Sequence, residues 1–399
     1  MPGIDELYDY AARTEFLRDD ILHAEFPPSR RKGAPLFTVN EAAQYLEIKP
    51  TTLQKLVRDE EVTCTLSESG KRFFNPEQIY RAREQLQKNA TKKNYMPSSL
   101  KKNGKPYVLS VSNLKGGSSK TTTCVHLCQY AVLMGYKVLL IDSDPQGSSS
   151  SIHGLFPYQL TDETSGESYG EFVNLEDTLL SIYSREESKR DLKPLKTSWF
   201  NLDLIPANIR LFDAEFAIPS RQMSTPGFRF FDILTDEIEN NASLQDYDLI
   251  CIDLPPSFSY MTINALYASD AMVVPCPPNH LDILATGAFF DQLTLVMETI
   301  EKNFDYQKNF DFVSALRTKM EADPQSIRNG GRIAAIFQQD LIQEQALTSK
   351  VVKLATDKNL TIYELDGAEV DRRTYKRAID SFNAINEEIL MRVKESVSK

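Results

Sequence analysis

An apolar run, Tyr107-Val-Leu-Ser-Val111, gives way to the polar, glycine-bent segment Asn113-Leu-Lys-Gly-Gly-Ser-Ser-Lys-Thr-Thr-Thr123, and a helical pattern follows over 123–134. A buried strand feeding a helix through such a turn leaves few options. Gly116 and Gly117 let successive backbone N–H groups point into one concavity, and the helix N-terminus adds its positive dipole. The result is an anion nest with Lys115 and Lys120 beside it. The spacing is close to the phosphate-loop pattern G-x-x-x-x-G-K-[ST], with Leu114 and Ser119 at the two glycine positions. In that pattern Lys120 contacts the β- and γ-phosphates of a nucleotide, and the Thr121 hydroxyl ligates Mg²⁺. The bland alternative is a strand-to-helix turn with a chance Lys-Thr pair.

Further apolar runs occupy 137–142, 201–206, 247–253, 271–276, 310–316 and 332–337, separated by helical stretches. Continuous runs of this length suit strands buried on both faces, and the alternation predicts a parallel sheet wrapped by right-handed crossovers. Residues 154–200 are polar and read as an insertion or mobile region. Two runs end in carboxylates. The second leads into Asp142-Ser-Asp-Pro-Gln-Gly147, and the fourth reads Tyr247-Asp-Leu-Ile-Cys-Ile-Asp-Leu-Pro-Pro256. A carboxylate at the C-terminal end of a strand lies beside the phosphate site in a doubly wound fold, and Asp253 there can hold Mg²⁺ through water.

With these motifs in view, the chain resembles the ParA/MinD group of deviant P-loop ATPases over roughly 106–399. Lys115-Gly-Gly-Ser-Ser-Lys-Thr-Thr122 matches the loop with an extra lysine ahead of the glycines, although the family usually has Gly where Ser119 stands. Asp142 to Gly147 matches its D-x-D-P-Q motif, and Asp253 with Pro255 and Pro256 its D-x-P-P turn. Asn201 to Phe212 and the late helix from Arg372 to Asn386 also resemble ParA segments. The resemblance implies ATP and Mg²⁺ as cofactors and Lys115, Gly116, Gly117, Ser118, Ser119, Lys120, Thr121 and Thr122 as the nucleotide-binding set. It further implies Lys115, Lys120 and Asp144 as the catalytic residues, with Asp144 positioning water. Thr121, Asp142 and Asp253 would surround the metal, and Lys115 would reach across a homodimer interface to the partner's nucleotide.

The N-terminal third has a different texture. Residues 1–25 place Ile4, Leu7, Tyr8, Ala11, Phe16, Leu17, Ile21 and Leu22 at helical spacing, and Pro27, Pro28, Arg30, Arg31, Lys32, Gly33 and Pro35 form a breaker-rich linker. Phe37 to Arg58 has helix-turn-helix rhythm, with Asn40 as the first cap and Ile48-Lys-Pro as the turn. Thr51, Thr52, Gln54, Lys55 and Arg58 would face DNA from the second helix. Residues 62–73 read as a wing that carries Lys71 and Arg72. This module resembles the MerR-like or winged helix-turn-helix domain ahead of some plasmid partition ATPases; a small three-helix interaction domain is the alternative. A second DNA contact, through phosphates alone, is implied by resemblance at Arg372, Arg373, Lys376 and Arg377; a solvated helix face is its alternative.

The net charge of −11 argues at face value against nucleic acid, yet no acidic residue occurs from Gln85 to Ile141, and a local basic zone can attract phosphates. Five cysteines without a C-x-x-C pair read as reduced core thiols. The four histidines lack metal-ligand spacing. No run approaches the ~20 apolar residues of a membrane span, and the N-terminus has no leader pattern, so a cytoplasmic, nucleoid-associated protein without a membrane partner is expected. The fold expected is α/β, a doubly wound, mostly parallel P-loop ATPase domain over 106–399. Ahead of it stand an N-terminal helix and linker (1–35, possibly for dimerisation), a winged helix-turn-helix domain (36–87) and a basic linker (88–105). By resemblance, MgATP drives dimerisation and non-specific DNA binding. A ParB-like centromere-binding partner stimulates slow hydrolysis to segregate a plasmid, and the N-terminal domain binds an operator to autoregulate. Rival readings are an ATP-switched transcription regulator, a MinD-type positioning ATPase and a metabolic P-loop ligase.

Overall fold

A computed structural model describes residues 3–25, 32–157, 171–184, 191–367 and 369–398. The central sheet has eight strands, numbered here along the chain: β1 Tyr107–Val111, β2 Val138–Asp142, β3 Leu195–Lys196, β4 Leu202–Ile205, β5 Leu249–Asp253, β6 Ala271–Cys276, β7 Phe312–Met320 and β8 Leu341–Leu347. Their order across the sheet is β8-β7-β6-β1-β5-β2-β4-β3. Every neighbouring pair is parallel except the β3–β4 edge pair. The expected doubly wound α/β architecture is therefore present.

The inner strands are buried on both faces, which is why they read as unbroken apolar runs. Alternate residues feed two cores. Leu109, Val111, Leu140 and Cys251 pack toward the helices Lys120–Leu133 and Arg372–Val397. Val108, Ile141, Ile250 and Ile252 pack toward Ile233–Asn240, Tyr260–Ala268 and His280–Phe304. Cys124, Cys128, Cys251 and Cys276 are buried free thiols. His280–Phe304 has the length and apolarity of a membrane span by composition alone, although Asp282 and Asp291 interrupt its apolar run. Phe289, Leu293 and Ile300 on it are buried against the molecule.

Two expectations need correction. Residues 332–337 are not a strand but the end of helix Pro324–Phe337, which Asp323 caps through the N–H groups of Gln325 and Ser326. The last strand is instead β8, whose exposed Gln343 and Glu344 broke the apolar run expected of it. Residues 154–200 are not simply a mobile insertion. Within the described part, Val173, Leu179, Ile182, Tyr183, Leu192 and Trp199 are buried and β3 lies in this range. Residues 158–170 and 185–190 lie outside the described residues.

Near the N-terminus, helix Ile4–Glu25 forms as its spacing implied, with Ile4, Leu7 and Tyr8 exposed; residues 26–31 of the linker lie outside the described residues. Helix Val39–Tyr45 is capped by Thr38, not Asn40. Thr38 Oγ1 accepts from Glu41 N–H while Glu41 accepts from Thr38 N–H, a capping box that the sequence Thr-Val-Asn-Glu spells out. Pro50 opens the second helix, Pro50–Arg58. A three-stranded sheet of Phe37–Thr38, Arg72–Phe74 and Thr65–Leu66 follows, then helix Pro76–Asn89.

This N-terminal unit shares a core with the sheet domain. Phe37 meets Trp199 (ring centres 6.1 Å apart), Tyr45 meets Tyr130 (6.4 Å) and Tyr80 meets Phe200 (5.5 Å). The buried Arg83 guanidinium donates to Tyr45 O (2.6 Å), Tyr95 O (2.9 Å) and Leu133 O (3.0 Å). The 88–105 segment is tied down by Lys101 to Gln245 O (2.6 Å), Lys102 to Asp311 (2.7 Å) and Lys105 to Glu239 (2.9 Å).

Candidate nucleotide site

Strand register brings the three motifs together. Val111 and Asp142 both pair with Asp253, so β1, β5 and β2 end level along one sheet edge. The glycine turn, the Asp142–Gly147 loop and the Asp253–Pro256 turn leave from that edge side by side. The turn rises from β1 and re-enters as helix Lys120–Leu133. Gly117 takes φ +74°, a left-handed conformation that glycine adopts without penalty. Ser119 does the same at φ +78° as the residue before the helix, and there a side chain is strained. The glycine usual at that position has a physical reason, and this chain carries the strain instead.

Lys120 is buried, and its ammonium donates to the Lys115 carbonyl at 3.1 Å. Burial lowers its pKa, with the charges of Asp253 and Asp144 pulling it back up. Asp253 is fully buried. Its Oδ2 accepts from the Ser149 hydroxyl at 2.7 Å, and its Oδ1 makes no hydrogen bond, although Thr121 is near enough to favour the ionised form. Burial raises the Asp253 pKa. Burial, then the Asp253 charge, raises that of Asp142 as well.

An orphaned buried carboxylate oxygen beside a threonine hydroxyl suits a hard cation, which takes oxygen ligands. Thr121 and Asp253 thus fit Mg²⁺. Asp142 does not offer a comparable oxygen. Its Oδ2 accepts from Ser150 N–H (2.8 Å) and Ser150 Oγ (2.7 Å), and its Oδ1 from Asp144 N–H (3.2 Å). Those contacts brace the loop that carries Asp144.

A cavity of about 590 Å³ opens here, lined by Gly116, Gly117, Ser119, Lys120, Thr121, Thr122, Asp144 and Pro256. Lys115 and Ser118 do not line it. Ser118 points inward, and its carbonyl accepts from the Thr318 hydroxyl at 3.0 Å. Lys115 is half-exposed, with its ammonium 3.9 Å from Asp282 Oδ1.

A replication protein A of Sinorhizobium fredii is 32% identical over 382 residues, covering 93% of this chain and 89% of that protein. The AAA_31 family model, described as an AAA domain, matches residues 107–306. A chromosome partitioning protein ParA of Caulobacter vibrioides is 32% identical over 195 residues, 49% of this chain and 62% of its own. The chain belongs to the ParA-type partition ATPase family. A solved structure named Partition Protein shares the fold, with a TM-score of 0.64 over 98% of this chain and 99% of that one at 16% identity.

The far wall of the cavity in this partition-family member was not legible beforehand. Thr318, Lys319 and Glu321 from the end of β7, and Thr348, Ser349 and Lys353 beyond β8, line it. Lys319 takes φ +51° where the β7–β8 register shifts, and its ammonium lies 3.9 Å from where a Cβ on Gly117 would stand. The rule that ligands sit at the C-terminal ends of parallel strands points to these residues, and those beyond β8 escaped it because β8 carries no unbroken apolar run.

Of the DNA candidates, Thr51, Thr52, Gln54, Lys55 and Arg58 are all exposed on one face of their helix, with Leu53 and Leu56 buried on the other. Lys71 and Arg72 are exposed on the wing. Arg372, Arg373, Lys376 and Arg377 are exposed at the start of helix Arg372–Val397, more than 300 residues along the chain from the first group. Arg377 lines a second cavity of about 910 Å³, which shares Thr348, Ser349 and Phe382 with the first.

Proposed function

We propose that this chain is an ATP-driven DNA-partition ATPase whose nucleotide occupies the cavity at the β1, β5 and β2 ends. One observation carries the reading: three strands end in level register, with Asp253 closing β5 at the same edge as the cavity that Lys120, Thr121 and Asp144 line. Inward backbone N–H groups, the helix dipole and Lys120 neutralise the triphosphate. Thr121 and Asp253 would hold Mg²⁺, with Asp142 close by, and the ion would offset phosphate charge. Asp144, presented by the braced loop, orients the attacking water. ATP closes two copies face to face, with Lys115 of each reaching the other's nucleotide. Exposed Phe212, Phe216, Leu281 and Leu284 supply apolar surface for that pairing. The dimer holds DNA through Arg372, Arg373, Lys376 and Arg377 by phosphate contacts. A ParB-like partner stimulates hydrolysis, and the exposed face of Pro50–Arg58 with Lys71 and Arg72 reads an operator. The domain division at about residues 35, 87 and 105 belongs to the same proposal.

The test is ATP turnover with and without DNA and a candidate partner. Lys120→Ala is expected to lower turnover at least about a hundredfold, the scale of losing one preorganised charge contact. Turnover equal to wild type would overturn the assignment. A second reading, a transcription regulator switched by ATP, is favoured by the Arg83 link between the N-terminal unit and the end of the Lys120–Leu133 helix. Operator binding that responds to ATP without partner-stimulated turnover would select it.

A further inference from the structure

Lys115 sits in the glycine turn but leaves the cavity to Lys120. Its backbone N–H donates to Asn113 Oδ1 at 3.1 Å. Asn113 is itself buried and donates from Nδ2 to Pro275 O (2.8 Å) and to Thr286 Oγ1 (2.9 Å). The Lys115 backbone is thereby tied to the first turns of helix His280–Phe304. The tip meets the same helix one turn earlier, with Lys115 Nζ 3.9 Å from Asp282 Oδ1.

Asp282 is an odd residue for its position. It is 4% exposed. The helix is already capped by Asn279, whose side chain accepts from Asp282 N–H at 3.1 Å and donates to Asp282 Oδ2. Capping therefore uses one carboxylate oxygen at most. The other, Oδ1, is buried without any hydrogen bond. A buried acceptor left unmatched is costly, and a charged one more so. The cation near it is Lys115.

We infer that Asp282 is a positioning residue that latches Lys115 against its own subunit and releases it when a second subunit's triphosphate arrives. The inference rests on the proposed role of Lys115 across the dimer. The Lys115 side chain is 44% exposed, so water screens the pair and holds it weakly. A triphosphate offers the ammonium more charge at closer range, and the exchange runs toward the dimer. The exchange strands Asp282, buried and without its cation, which favours the return of Lys115 once phosphate has left. The latch therefore opposes dimerisation and speeds disassembly.

Sedimentation of the full chain with AMPPNP and Mg²⁺ tests this, comparing wild type, Asp282→Asn, Lys115→Ala and the double variant. Each dimer breaks two latches, so Asp282→Asn is expected to lower the dimer dissociation constant by about three- to thirtyfold. It should have no effect in the Lys115→Ala background, since the cycle isolates the pair. The gain should shrink as salt is raised. An unchanged or weakened dimer in Asp282→Asn, or the same gain without Lys115, overturns the latch. If wild type fails to dimerise, or Lys115→Ala dimerises as well as wild type, the cross-subunit role fails instead. Asp282→Ala is the second variant. If both fail to fold, the carboxylate serves the fold and the inference is wrong.

Discussion

Replacing Arg83 by Met keeps most of the side-chain volume and removes the fork that joins three segments. In the folded chain the guanidinium serves Tyr45 O at 2.6 Å, Tyr95 O at 2.9 Å and Leu133 O at 3.0 Å. These carbonyls belong to the end of helix Val39–Tyr45, the middle of the 88–105 segment and the end of helix Lys120–Leu133. Hydrogen bonds from a charged donor contribute about 1.5–3 kcal/mol each, and a buried carbonyl left without a donor costs about 1–3 kcal/mol. The cost of burying the guanidinium offsets part of that, and the same burial lowers its pKa although the Glu47 charge pulls it back up. The net loss expected is about 3–5 kcal/mol, the range found on breaking buried charged contacts. Trp199, the only tryptophan, is the natural probe, since it is buried against Phe37 at this junction. With a urea slope near 3 kcal/mol per molar, the Trp199 fluorescence midpoint should fall by about 1–1.7 M. Arg83→Lys should recover less than half, because an ammonium cannot span the three acceptors. A fall below about 0.3 M in Arg83→Met would refute the claim that this fork holds the two parts together. Gly135 adds a check. It takes φ +99°, and a Cβ there would stand 2.9 Å from Arg83 Cδ, so Gly135→Ala should lose stability and lose less of it in the Arg83→Met background.

Two further outcomes are expected. Ser119→Gly relieves a left-handed side chain at φ +78°, a gain of about 1–2 kcal/mol against about 0.5–1 kcal/mol of added unfolded-state entropy; a lower thermal midpoint would contradict it. The buried imidazole of His126 lies 2.6 Å from Thr122 O through Nδ1 and accepts from Ile362 N–H at 3.2 Å through Nε2, an arrangement for the neutral ring, and burial pulls its pKa from 6.5 to about 4. The unfolded chain then binds the proton that the folded chain refuses. Stability from this group is complete above pH 6.5 and is lost as pH falls toward 4, at about 1.4 kcal/mol per pH unit. Asp142 and Asp253, raised by burial, work in the opposite sense, so the quantity to measure is the urea stability of wild type minus that of His126→Gln between pH 7 and 4. A difference that stays flat would show that the ring is not held neutral.

The local chemistry of this chain was legible from the residues alone. Two glycines between a strand and a helix pointed to the turn at Gly117, and carboxylates closing apolar runs pointed to the same sheet edge, because the backbone requirements of each motif are met within a few neighbouring residues. Tertiary structure decided what depends on distant partners. Helix Pro324–Phe337 was expected to supply a strand, and β8 went unseen, because an exposed edge strand can carry Gln343 and Glu344, while a half-buried helix can look as apolar as a strand. Asp142 became a brace because Ser150 folded back onto it. Lys319, Arg83 and Asp282 matter through groups 202, 50 and 167 positions away, at Gly117, Leu133 and Lys115. No periodicity or spacing records such meetings, since they are set by the order in which the strands enter the sheet.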